Sequence, residues 1–188
     1  MWQNYTCPNA YLGGFPEART LKTDKGRRSW HEDYLSAILE RDSRDIINIR
    51  RQDAMLKLIQ VLAAWSSKFM ELSSICSQLS ISRPSIESYI KAIETLYLVD
   101  RVRAWHKTDY DRVSKQEKLF LTDTGMLYSI LNWRFDSMRF DADMSGKLLE
   151  TFVYNQIAAI IDAQTESYEI YHYRDREKRE NDDKALLG

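Results

Sequence analysis

Apolar residues recur every three to four positions through much of this chain, the spacing of one face of a helix. In "RRSWHEDYLSAILERDSRDII" the stripe is Trp30, Tyr34, Leu35, Ile38 and Leu39. In "DAMLKLIQVLAAW" it is Met55, Leu58, Ile59 and Leu62. Each stretch predicts an amphipathic helix with one buried face. Ahead of them "NAYLGGFPEA" reads as a loop, since Gly13-Gly14 permits positive φ and Pro16 keeps Phe15 extended.

The run "ELSSICSQLSISRPSIESYIKAIETLYLV" carries the most information. Leu72, Ile75, Cys76 and Leu79 form a short helical face, which Ser80-Ile81-Ser82 interrupts. Ser82 suits an N-cap, where its hydroxyl accepts from a first-turn amide, and Pro84 suits that turn because its missing N–H costs little. Ile86, Tyr89, Ile90, Ile93, Leu96 and Tyr97 then resume the helical period. Short helix, turn and longer helix predict a helix-turn-helix. Two β-prone runs, "LVDRVRAW" and "EKLFLTD", flank the polar stretch "HKTDYDRVSKQ", as the hairpin and loop of a wing would. Beyond a polar gap at residues 136–145, "GKLLETFVYNQIAAII" predicts a helix with a wide apolar arc from Leu148 to Ile161, and "ESYEIYHYR" predicts a strand.

Composition narrows the class. The 188 residues are 44% hydrophobic and 29% charged, within the ordinary globular range. Six glycines and three prolines favour helices over a turn-rich all-β fold. The net charge of -1 does not announce a nucleic-acid binder, although a local basic face is compatible with it. Cys7 and Cys76 fit no zinc spacing and read as free thiols of a reducing compartment. No apolar run approaches the roughly 20 residues that span a bilayer, and Met1-Trp2-Gln3-Asn4 is unlike a signal peptide. The expectation is a cytoplasmic protein with no membrane partner.

Candidate chemistry is sparse. Arg83, Ser85 and Lys91 of the second helix could meet DNA, with His106, Lys107, Arg112 and Lys115 of the wing on phosphates. Arg101, Arg103 and Lys118 add to the basic residues there. Against this, Glu87 and Glu94 leave the second helix nearly neutral, whereas recognition helices are usually basic. The same module could instead bind protein or serve packing alone. Glu150 lies on the flank of the last helix's apolar arc, either at a core rim beside a base or aimed into a site. With a second acid, for which Asp182 is the candidate, it could hold Mg²⁺ through oxygen. His31, His106 and His172 fit no metal spacing, and Asp123 in "LTDTG" reads as a helix cap. There is no G-x-x-x-x-G-K-[ST] and no G-x-S-x-G.

"YLGGFPEA", "YLSAILERDSRDI", "LSISRPSIESYIKAIETLYLV", "AWHK", "KLFLTDTGML", "GKLLETFVYNQI" and "YHYRDREKRE" occur in that order. Together they resemble the C-terminal half of prokaryotic AAA-type ATPases that carry domain of unknown function 4143. That resemblance implies an exit from an ATPase core at Tyr11 to Ala18, then a winged helix, then a domain similar to PD-(D/E)XK nucleases. It implies that Gly146, Leu149, Glu150 and Phe152 follow the family's G-x-L-x-E-x-F helix, with Leu149 one place off its leucine. Glu150 would be the helix acid of the nuclease-like core, and Asp182 the aspartate of its E-V-D-F-V-L strand. The departures are Asn181, Asp183 and Lys184, too polar for a central strand, and a chain that stops before any (D/E)-x-K pair.

The resulting expectation is an α+β, mostly helical chain. Residues 1–25 would leave a missing ATPase core, 26–66 form a helical segment, 67–135 a winged helix, and 143–188 an incomplete nuclease-like α/β tail, cut or altered at its end. The favoured function is a C-terminal fragment of an ATP-dependent protein of unknown process, acting as a winged-helix recognition module, with double-stranded DNA one candidate partner. By itself the chain would bind no cofactor, ATP and Mg²⁺ belonging to the parent protein. The alternative is a protein-interaction or self-association module. A nuclease assembled from two chains through Glu150 and Asp182 is a third reading.

Overall fold

The computed structural model describes residues 10–41, 52–105, 116–138, 140–174 and 180–187; for Gln52, Arg174 and residues 180–187 it describes the backbone alone. The architecture is α+β and mostly helical. After a loop in which Gly13 takes φ +73°, Pro16 opens the short α1, Pro16–Thr20. The α2 helix, Asp24–Arg41, buries Leu35 and Leu39 as its spacing predicts, but His31 and Arg27 continue that stripe one and two turns back. Trp30 and Tyr34 instead stack on each other at 5.2 Å and meet Phe15 outside the stripe. The α3 helix, Gln52–Trp65, buries all four of Met55, Leu58, Ile59 and Leu62.

The predicted helix-turn-helix is α4, Leu72–Leu79, and α5, Arg83–Thr95. Ser80 adopts the left-handed conformation at the end of α4, and the Ile81 amide donates to the Cys76 carbonyl. Ile86, Ile90 and Ile93 are buried on α5. Ser82 occupies the N-cap position, yet its hydroxyl bonds the Ser85 hydroxyl at 2.9 Å and not a main-chain amide. The helical period does not run on to Tyr97, which takes φ +55° and stands 82% exposed.

Strands β2, Val99–Ala104, and β3, Lys118–Leu121, pair antiparallel as expected. A two-residue strand that periodicity cannot signal, β1 at Lys68–Phe69, joins the other edge of β3. Then follow α6, Thr124–Ile130, α7, Phe135–Met138, and the long α8, Ala142–Asp162. The α8 helix starts four residues before the apolar run because the Asp141 carboxylate accepts the Met144 amide at 3.0 Å. The tail gives β4, Tyr168–Arg174, and β5, Glu180–Leu187.

The strand order is β1-β3-β2-β4-β5. The β4 strand is parallel to β2, and β5 returns antiparallel along β4, so the tail hairpin extends the hairpin sheet. The β5 strand pairs along its length despite Asn181, Asp183 and Lys184, and its place at the sheet edge explains the tolerance, since an edge strand keeps one side in water. The sheet separates two cores. Val99, Leu119 and Leu121 face the large helical core, while Val102 and Phe120 face α8 and pack with Tyr154. Among the described residues no helix is long and apolar enough to cross a membrane.

Candidate functional site

The proposed DNA-reading residues gather on α5. Arg83 and Lys91 are exposed and Ser85 is half-buried. Arg83 is already engaged, its Nε donating to Glu87 at 2.9 Å one turn along the same face. That contact raises the guanidinium's pKa further, through the hydrogen bond first and the charge second. His106, Lys107, Arg112 and Lys115 lie outside the described residues. Two other bases of the expected wing are not available to phosphates. Arg101 is held by Glu94 at 2.5 Å and by Glu117 at 3.1 Å. Lys118 is 2% exposed.

Lys118 leads to the second cluster. Strand alternation places Leu119 and Leu121 in the helical core and turns Lys118 and Phe120 toward α8. The Lys118 ammonium meets the Glu150 carboxylate, and Phe69 and Phe120 flank it with ring centroids at 5.7 and 5.8 Å. His172 on β4 closes the same small space, donating from Nε2 to the Gln116 carbonyl at 3.0 Å with Phe69 against its ring. Glu150 is therefore a rim carboxylate with a buried base beside it. The backbone of Asp182 sits in β5 at a bulge, where Asp182 and Asp183 oppose the single residue His172 between the pairs Tyr171↔Lys184 and Tyr173↔Asn181. The side chain of Asp182 is outside the described residues, and among the described residues no three potential metal ligands come together.

A third polar contact was not legible in the sequence. One turn beyond Glu150, the Tyr154 ring stacks on Phe120 at 4.2 Å, and its hydroxyl donates to Asp100 at 3.1 Å. Burial pushes the Asp100 carboxyl up, Tyr154 opposes this, and Asp162 and Glu94 add to it. Burial and the Asp100 charge push the Tyr154 phenol up as well. The signal was a tyrosine at i+4 from Glu150 and an aspartate in a strand, neither unusual alone.

Asp123 does cap α6, accepting the Met126 amide at 2.6 Å, and it also accepts the Gly14 amide at 2.5 Å. That bond fastens the N-terminal loop to α6. The approach needs glycine on both sides: a Cβ on Gly125 would meet the Leu12 carbonyl oxygen at 2.6 Å, and one on Gly13 would meet Asp123 at 2.5 Å.

These features define a mostly helical α+β chain with a mixed sheet and, behind it, an ion pair between a buried lysine and a half-buried glutamate. Residues 9–137 match a family model described as Domain of unknown function (DUF8612), and the chain belongs to that family. Among curated relatives it is similar to Uncharacterized protein Rv2008c of Mycobacterium tuberculosis and Uncharacterized protein Mb2031c of Mycobacterium bovis. Each is 23% identical over 172 residues, covering 90% of this chain and 38% of the relative. The chain thus spans under two fifths of the length of those relatives. No solved structure matches it. Neither the family description nor the relatives' names state an activity, and the family matched is not the domain of unknown function 4143 of AAA-type ATPases that the quoted motifs resemble.

Proposed function

We infer that the chain is a winged-helix recognition module of a longer protein. The observation that carries this reading is the order β1, α4, α5, β2, β3 with the three strands arranged β1-β3-β2, beside an α5 that exposes Arg83, Glu87 and Lys91. Double-stranded DNA is the partner tried first. Arg83, Ser85 and Lys91 would approach base edges, and Lys107, Arg112 and Lys115 would take phosphates. The relatives' greater length leaves room for an ATPase core elsewhere in the parent, where ATP and Mg²⁺ would act. Glu150 and Asp182 would then be remnants of a nuclease-like core, with Lys118 holding Glu150 in a structural role.

The Arg83–Glu87 pair favours a second reading, in which α5 meets a protein. A labelled duplex titrated with the chain across a salt series separates the two by fluorescence anisotropy. On the DNA reading the duplex binds, affinity falls steeply with salt, and Lys91→Ala shallows the slope by about one counterion. Flat traces at low salt would reject DNA and leave the protein partner.

A further inference from the structure

The β2 and β4 strands are paired at only two positions, Arg103↔Tyr171 and Ala104↔His172, with the Trp105 amide donating to the His172 carbonyl at 2.7 Å just beyond them. Toward their N-terminal ends the strands part. A cleft of about 670 Å³ opens between them, bounded on one side by α8, and this volume is within the usual range for ligand sites.

The main chain lining this cleft is unlike an ordinary surface. In an antiparallel pair, alternate residues direct both N–H and C=O to the partner strand. The Thr122 amide donates to the Leu98 carbonyl, so Leu98, Asp100 and Val102 turn their groups to β3. Val99 and Arg101 therefore turn theirs away from β3, toward the cleft. Four carboxylates line the space, Glu94, Asp100, Asp162 and Glu169, against the guanidiniums of Arg101 and Arg103. Arg101 is committed to Glu94 and Glu117. Repulsion from Asp162 and Glu94 adds to burial in holding the Asp100 carboxyl above its usual range, which a bound cation would relieve.

We propose that this cleft takes an extended basic peptide segment, which pairs with the main chain of Arg101 and Val99 and sets its cations against Asp100, Asp162 and Glu169. Strand addition supplies main-chain bonds, and the carboxylates select lysine or arginine on the segment. The cleft touches α5 at Glu94, and Arg83, Ser85 and Lys91 do not line it.

The probe is a capped octapeptide of alternating lysine and valine, with a glutamate-valine octapeptide as control and the full chain as receptor. Calorimetry should show binding of the lysine peptide alone. Asp162→Lys with Glu169→Lys, both at exposed positions, should weaken it at least tenfold while the chain keeps its native far-UV spectrum. Methylating alternate peptide amides should weaken it as much, and the Arg101 amide should exchange more slowly when peptide is bound. Equal binding of both peptides, or undiminished binding by the charge-reversed variant, would overturn the proposal. So would an unchanged Arg101 amide, which would place the peptide elsewhere.

Discussion

His31 sits beneath the loop that Asp123 fastens, 1% exposed, with Nδ1 at 2.8 Å from the Ser129 hydroxyl and Nε2 facing Asp123 at 3.9 Å. Burial lowers its pKa below the ordinary 6.5, and the Asp123 charge only partly offsets that. The folded state therefore prefers the neutral ring. As pH falls through about 6.5 the unfolded chain takes up a proton that the folded chain resists, so stability is lost on the acid side. Denaturant midpoints at pH 7.5 and 5.5 should differ more for the native chain than for His31→Gln. An equal acid loss in both would show that His31 does not set this limb. In the sequence His31 read as one of three scattered histidines. Its burial comes from α2 turning Arg27, His31, Leu35 and Leu39 inward together, a stripe half polar and so invisible to hydrophobic spacing.

At the scale of elements, helices with an apolar inward face could be read directly, and α3 is the clearest case. The α8 helix shows where such reading stops. Its apolar arc pointed to Leu149, Val153 and Ile160 as core, but these are 48%, 37% and 61% exposed. The inward residues are Lys147, Leu148, Thr151 and Tyr154. Polar partners make that possible. Lys147 donates to the Ala64 carbonyl in the last turn of α3, and Thr151 shares a hydrogen bond at 3.0 Å with Ser66, whose hydroxyl accepts the Leu121 amide. Glu150 was legible as a rim acid, but Lys118 was counted with the wing because its strand phase was unknown. The pair now carries a stability prediction. Glu150→Ala takes a half-buried carboxylate from beside a buried ammonium and should cost about 1–3 kcal/mol, while Lys118→Met with Glu150→Leu should recover most of that loss. Chemical denaturation of the single and double variants measures it. A loss well below 1 kcal/mol for Glu150→Ala would mean the ammonium has other compensation.

The two cores of the whole molecule are unequal, and this fixes an order of opening. The helical core joins α2 to α6 with Leu119, Leu121 and Leu148, whereas the core under the second half of α8 has Val102, Phe120 and Tyr154 buried, with Ala158 and Ile170 only partly so. The first half of α8 is tied to the large core through Leu148, Lys147 and Thr151. Past Tyr154 the helix borders the open cleft, and Ala159 and Ile160 face solvent. Segments with few buried contacts open at lower free energy than the global transition. Native-state hydrogen exchange should then find the amides of Leu148 to Thr151 protected like those of α3, and those of Ile157 to Asp162 released at clearly lower denaturant. Uniform protection along α8 at the level of α3 would contradict this order and make the small core as strong as the large one. Because the releasing half of α8 is one wall of the cleft, a segment seated there should raise its protection while leaving the Leu148 turn unchanged, linking the smaller of the two cores to the place where the chain has room for a partner.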